Sequence, residues 1–100
     1  MIRGTTPTLE IIVPFDTGLL DDAYITLSQN NQIVINKRLN DCETDIHKLS
    51  VKLLQEETLK LSHRYLVEVQ VKVKFKDSED VQASDIITEN VYKILNEDVI

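Results

Sequence analysis

The sequence predicts an all-β protein, an immunoglobulin-like antiparallel β-sandwich of six to seven strands that forms a single domain over residues 1–100. Apolar and polar residues alternate with a period of two through most of the chain, as in strands with one buried and one solvated face. No amphipathic segment of helical length separates these strands, so the rhythm of a parallel βαβ sheet is missing. The hydrophobic share of 42% and the charged share of 28% are ordinary for a globular protein.

The first predicted strand ends at Pro14, because proline cannot donate a hydrogen bond to a ladder. Its alternating apolar residues are Leu9, Ile11, Val13 and Phe15. The following "DTGLLDD" predicts a turn in which Gly18 is free to adopt a positive φ.

A β-hairpin is predicted next, with its tip in "SQNNQ" at Asn30 and Asn31. Asparagine tolerates the left-handed region of backbone conformation that tight hairpin turns require. The expected buried residues of this hairpin are Ile25, Leu27, Ile33 and Ile35.

The polar stretch "NDCETDIHK" predicts a connection with room for one short edge strand. Alternation then returns through Leu49, Val51 and Leu53. The segment "QEETLKLSHR" is too short for a stable isolated helix, so we predict a single helical turn or a wide corner.

The clearest strand is "YLVEVQVKVKF", in which alternation is unbroken. Its predicted inward side chains are Tyr65, Val67, Val69, Val71, Val73 and Phe75. Tyr65 follows the helical corner at the entry to this strand, an arrangement similar to the tyrosine corner of immunoglobulin-like domains.

The last predicted strand lies in "VQASDIITENVYKI" and is interrupted at Ile86–Ile87, where two apolar residues adjoin in a bulge or a doubly covered segment. The first strand (8–13) and the last strand (86–94) are the expected free edges of the sandwich. Ile2 and Ile100 are apolar residues at the chain ends, and we expect them to fold back onto a sheet or to contact a neighbouring molecule.

The net charge of −6 excludes some partners and favours others. An acidic surface repels phosphate backbones, so nucleic acid is not an expected partner. It suits a basic partner, although an ordinary solvated surface explains the same charge. The longest fully apolar runs have two or three residues, so no membrane-spanning segment is expected.

Candidate catalytic and metal-binding residues are few, and we expect a non-enzymatic protein without a cofactor. Cys42 and His47 supply only two potential zinc ligands, and His63 has no patterned partner. Asp41 beside Cys42 would raise the pKa of the thiol. The cluster Asp16, Asp21 and Asp22 lacks the regular oxygen spacing of a compact calcium loop.

The candidate partner-facing residues are Lys72, Lys74 and Lys76, on the polar side of the long strand, together with the terminal Ile2 and Ile100. The lysines could form a positive stripe that attracts an acidic partner, or they could protect an exposed strand against edge-to-edge aggregation. Acids such as Asp85 or Glu89 are expected to pair with them across strands.

The stretches "MIRGTTPTLEIIVPFDTGLLDDAYITLSQNNQIVINK", "KLSVKLLQEETLKL", "YLVEVQVKV" and "ASDIITENVYKIL" together resemble small proteins encoded in phages and prophages. Those proteins are similar to the amino-terminal β-sandwich of phage baseplate upper proteins. The resemblance implies a structural protein of the tail or baseplate, a homo-oligomer or a partner of other tail proteins. It would be found in the virion tail, or in the host cytoplasm during assembly.

Two other functions stay open on the residues alone. A phage-encoded acidic inhibitor could bind a basic host defence protein. A carbohydrate-binding sandwich would need exposed aromatic rings, and most of the five aromatic residues are expected in the core.

Overall fold

The computed structural model describes all 100 residues and contains eight strands, one short α-helix and two single-turn 3-10 helices. The strands are β1 (Thr8–Ile12), β2 (Leu20–Gln29), β3 (Gln32–Arg38), β4 (Cys42–Asp45), β5 (Lys48–Lys52), β6 (Val67–Phe75), β7 (Val81–Ala83) and β8 (Ile87–Glu89). The 3-10 helices are Thr17–Leu19 and Leu39–Asp41, and the α-helix α1 is Gln55–Thr58. No helix has the length and the apolar character needed to cross a membrane.

The strands form two antiparallel sheets, which confirms the predicted all-β sandwich. The small sheet has the order β1-β5-β4. The large sheet has the order β3-β2-β6, with β7 and β8 lying end to end along the free edge of β6. The short strand β4 confirms the edge strand expected in the polar connection. The total exceeds the expected six to seven strands because the predicted last strand is divided in two.

The core lies between the two sheets and consists of aliphatic side chains. The small sheet contributes Leu49 and Val51, and Leu53 follows directly after β5, as the alternation predicted. The large sheet contributes residues of β2, β3 and β6. Its buried members are Leu20, Ala23, Ile25, Leu27, Ile35, Val67, Val71 and Val73.

The hairpin of β2 and β3 turns at Asn30 and Asn31, whose φ values are 50° and 62°. Both residues are in the left-handed region, so the predicted tip is confirmed. The expected burial of Ile33 is wrong, because this side chain is 70% exposed. A bulge between the Leu27–Ile35 and Ser28–Ile33 pairs places Val34 between them and turns Ile33 to the outer face.

The long strand is confirmed from Val67 onward, but Tyr65 does not belong to the core. Tyr65 precedes β6 and is 48% exposed, so the tyrosine-corner prediction is wrong. The corner is held instead by the buried Gln29, whose side-chain amide donates to the carbonyls of Ser62 and Tyr65. The side-chain oxygen of Gln29, Oε1, also accepts from the Ser62 N–H.

The predicted last strand is wrong in its extent. β7 and β8 are separated at Ser84, whose hydroxyl replaces a main-chain acceptor for the Val71 N–H. Ile86 and Ile87 are 55% and 66% exposed, so neither is doubly covered. The register with β6 shifts by one residue between the Lys72–Ala83 and Val69–Ile87 pairs, which is the irregularity expected from a bulge. Beyond Glu89 the chain leaves the sheet, and its one strand-like pairing is an isolated parallel bridge between Ile2 and Tyr92.

The turn after β1 is a 3-10 helix capped by Asp16, whose carboxylate accepts from the Gly18 N–H. Gly18 does not have the positive φ that we expected, because this capped turn needs none. The left-handed glycine is Gly4, with φ 74°. A Cβ added there would lie 3.1 Å from the Leu59 side chain.

Candidate functional site

The outer face of the large sheet carries the surface that we call the lysine face, formed by Asp22, Tyr24, Lys72, Lys74 and Val81. Lys72 lies between Tyr24 on β2 and Ala83 on β7, and Lys74 lies between Asp22 and Val81. Both lysines are exposed, as alternation against the buried Val71 and Val73 requires. A shallow depression of about 170 Å³ lies at the centre of the lysine face.

One cation of this region is paired and two are not. The Arg38 guanidinium donates to the Asp22 carboxylate and lies 5.2 Å from the centroid of the Tyr24 ring. The hydrogen bond from Arg38 lowers the pKa of the Asp22 carboxyl, and a further bond from the Ala23 N–H acts in the same direction. Lys72 and Lys74 have no carboxylate oxygen within 4.0 Å, so neither charge is neutralised by an ion pair within the chain.

The expected pairing of the lysines with Asp85 or Glu89 is wrong. Glu89 lies opposite Val67, at the far end of β6, and accepts from the amino group of Met1. Lys76 lies one residue beyond β6, beside the acidic turn of residues 77–80. The positive stripe is therefore limited to Lys72 and Lys74.

Both ends of the chain form main-chain contacts with other parts of the protein. Ile2 bridges to Tyr92, while the main chain of Ile100 exchanges two hydrogen bonds with the Gln55 side chain. The Ile2 and Ile100 side chains are nevertheless 46% and 103% exposed. The backbone thus folds back onto the body of the protein, and the apolar side chains remain available for contact.

A second surface, which the sequence did not indicate, is the open corner between the two sheets. We call it the corner groove. β1 and the residues that follow it form one wall, β7 and Ser84 form the other, and Val71 and Val73 form the floor. The cavity measures about 190 Å³, and most of its lining is apolar. The only sequence signal for it is the adjacent pair Ile11–Ile12, which places the apolar Ile12 on the outer face of β1, where it is 74% exposed.

Three of the candidate catalytic or metal-binding residues, Asp16, Asp22 and His47, make contacts within the fold. Asp16 caps a turn, and Asp22 binds Arg38. His47 contacts the Phe15 carbonyl through Nδ1, at 2.9 Å. Burial, with a smaller contribution from Asp41, raises the pKa of the Cys42 thiol, which is therefore protonated and a poor nucleophile at neutral pH. No group of three or more His, Cys, Asp or Glu side chains is arranged to hold a metal ion.

Comparison with known proteins gives no relative: no protein-family model, no curated protein and no solved structure matches this chain.

Proposed function

We propose that the chain is a non-enzymatic structural protein of a phage tail or baseplate, which works by docking on copies of itself or on other tail proteins. The observation that carries this proposal is the amount of surface that the isolated chain exposes. The phage context comes from the resemblance of its strand layout to small proteins of the baseplate module.

The solvent-accessible area of the chain is 6740 Å². A compact monomer of 11.5 kDa exposes about 5,800 Å² by the usual scaling with mass. The excess is close to the roughly 800 Å² that each partner contributes to a standard protein interface. The radius of gyration, 14.3 Å, likewise exceeds the about 12.7 Å typical of a compact domain of this length.

Part of this surface consists of large apolar side chains, whose exposure to solvent does not stabilise an isolated domain. Ile12, Ile87, Leu95 and Ile100 are each at least 66% exposed. Large apolar side chains that are exposed on strand edges and chain ends favour contact with another protein. Lys72 and Lys74 add unpaired positive charge, which can steer an acidic group of a partner into position.

The test is to look for the chain in assemblies. We expect light scattering on the purified protein to give a mass above that of a monomer, or immunoblotting to detect the chain in purified phage particles. A strict monomer that is also missing from particles would contradict the proposal. If the chain were such a monomer and bound a basic host protein in a salt-sensitive manner, inhibition of a host defence protein would be the better interpretation.

Charge-reversal variants test whether docking uses the lysine face or another part of the surface. Lys72→Glu and Lys74→Glu, each made singly, should reduce incorporation into particles. Lys52→Glu is the matched control, because Lys52 is exposed on the outer face of the small sheet, on the opposite side of the sandwich. Equal effects of reversal at the lysine face and at Lys52 would exclude the lysine face as a docking surface.

A further inference from the structure

We infer that the corner groove receives a fourth strand of the small sheet, supplied by a partner protein as an extended segment. This segment carries apolar residues at alternate positions and a lysine or arginine opposite Glu10. The inference rests on the proposed docking function and specifies the chemistry of the partner.

The first support is the free hydrogen-bonding edge of β1. The Leu53 N–H donates to the Pro7 carbonyl, and the Val13 N–H donates to the His47 carbonyl, so the odd-numbered residues of this segment bond to β5 and its flanks. The N–H and C=O groups of Thr8, Glu10 and Ile12 therefore point away from β5. An extended peptide can pair with these groups by adding one more strand to the sheet.

The second support is the uncovered inner face of β7 and β8. Gln82 and Ile87 lie opposite the inward-facing Val73 and Val69, so their side chains are directed towards the small sheet. Both are nevertheless exposed, Ile87 by 66%. The small sheet has three strands and ends at β1, whereas the large sheet extends further to β7 and β8. A strand placed about 4.8 Å beyond β1 would cover this overhang.

The third support is the size of the groove. At about 190 Å³ it is below the about 300–1,000 Å³ of sites for small molecules. It has the size of a few side chains, and its floor is formed by Val71 and Val73. Aliphatic residues opposite Leu9 and Ile11 in the added strand would point into it, because side chains on one face alternate.

The charges around β1 select the partner. Glu10 is exposed on the outer face of β1, with Lys48 at 3.8 Å as its only cationic partner. Asp16 and Asp85 directly follow the two walls of the groove. A cross-strand lysine or arginine opposite Glu10 is favourable. A second copy of the chain pairing through β1 about this position would instead place two Glu10 carboxylates opposite each other, which is unfavourable.

The other free edges, those of β3, β4 and the β7–β8 pair, are less suited to strand addition. β7 and β8 have three residues each and are separated at Ser84. β3 is bulged at Val34 and carries Lys37 and Arg38 near its end, features that discourage edge pairing. β4 has four residues, of which Glu43 and Asp45 are charged and exposed. The β3 and β4 edges therefore serve as internal controls.

The experiment is a titration of the uniformly ¹⁵N-labelled full chain with the acetylated and amidated peptide Thr-Val-Lys-Val-Thr. With the lysine opposite Glu10, both valines face the groove. We expect amide shifts and slower hydrogen exchange at Glu10 and Ile12, and shifts at Val71 and Ile87. The peptide with glutamate in place of lysine should bind up to about fivefold more weakly, and Glu10→Lys should reverse this preference.

Two variants test the edge and the groove separately. Ile12→Pro removes an edge N–H that β5 does not use, and it should abolish peptide binding, whereas Ile12→Val should retain it. Gln82→Phe should fill the groove and block binding, whereas Gln82→Asn should not. The ¹⁵N spectrum of each variant verifies that the chain is folded.

Equal shifts at the β3 and β4 edges, equal binding of the lysine and glutamate peptides, or no shifts at β1 would overturn the inference. If the Ile12→Pro chain still enters particles as efficiently as the unaltered chain, the strand-addition inference fails and the docking function stands. If the unaltered chain enters no particle and associates with nothing, the docking function fails.

Discussion

The central strands β2 and β6 and the last strands β7 and β8 belong to the same sheet, yet they differ sharply in burial. β2 and β6 contribute half of the fourteen buried apolar residues of the core. Every residue from Val81 to Asn90 is exposed. Strand pairing does not explain this difference, because β6 pairs with β2 on one side and with β7 and β8 on the other.

The difference follows from the unequal width of the two sheets. Side chains on β2 and β6 are covered by the small sheet, so burial stabilises them. The inward Gln82 and Ile87 side chains of β7 and β8 are not covered by the small sheet, so little side-chain burial supports the pairing of these strands with β6. Alternation in a sequence predicts which way a side chain points, but burial requires a second layer at that place.

The largest expected effect comes from truncating one inward-facing apolar residue of each region. Leu27→Ala on β2 should lower the free energy of unfolding by about 2–5 kcal/mol, because Leu27 is fully buried. Ile87→Ala on β8 should change it by less than about 0.5 kcal/mol, because Ile87 is exposed. Urea unfolding of both variants measures the difference, and similar losses would show that β8 belongs to the cooperative core.

Replacing one glutamine in each region should give a smaller difference in the free energy of unfolding. Gln29→Ala on β2 leaves the Ser62 N–H and two carbonyls without a partner and should cost about 1–3 kcal/mol. Gln82→Ala on β7 is the matched control and should be nearly neutral, since Gln82 is exposed. Thermal unfolding followed by circular dichroism compares them. A neutral Gln29→Ala would mean that the corner of residues 62–65 does not depend on this side chain.

Substitutions in the turns at the ends of the two regions should give a still smaller difference in the free energy of unfolding. Asn31 and Asp77 have φ values of 62° and 54°. Alanine in the left-handed region costs roughly 1 kcal/mol. Asn31→Ala should show this loss in urea unfolding, because the hairpin of β2 and β3 is part of the core. Asp77→Ala should show little of it, because β7 can open locally without unfolding the protein. Equal losses would indicate that β7 unfolds together with the core.

The smallest effect concerns the outer face of β2. Because Arg38 lowers the pKa of Asp22, the pair stabilises the fold above the pKa of an unfolded aspartate, and this contribution is lost as the pH falls through the lowered value. Arg38→Gln should raise the titration midpoint of Asp22, followed by carboxyl ¹³C shifts. The change in stability should be slight, because solvent screens an exposed pair. An unchanged midpoint would show that the ion pair does not persist in solution.

Alternation was enough to predict the two-sheet architecture and the inward residues of β2, β5 and β6. It failed where a single extra residue changed the phase, as at Val34, and where no second layer exists, as at Ile87. It also misjudged Tyr65, because the strand begins two residues later and Gln29 takes over the corner.

The candidate site was predictable only in part. Lys72 and Lys74 were expected on an outer face because their strand is regular, and they are exposed there. Their neighbours on β7 were not predictable, because the register of β7 with β6 depends on where Ser84 interrupts the last strand. The corner groove depends on the relative width of two sheets, a property that no local pattern contains.

Amide hydrogen exchange along β1 tests the central claim, that this sandwich ends in an unpaired edge open to a partner. For the purified chain we predict slow exchange at Leu9 and Ile11, which bond to β5, and fast exchange at Thr8, Glu10 and Ile12. Addition of the lysine peptide should slow the second group alone. Uniformly slow exchange in the isolated chain, without concentration dependence, would contradict the claim, because it would mean that the edge is already covered.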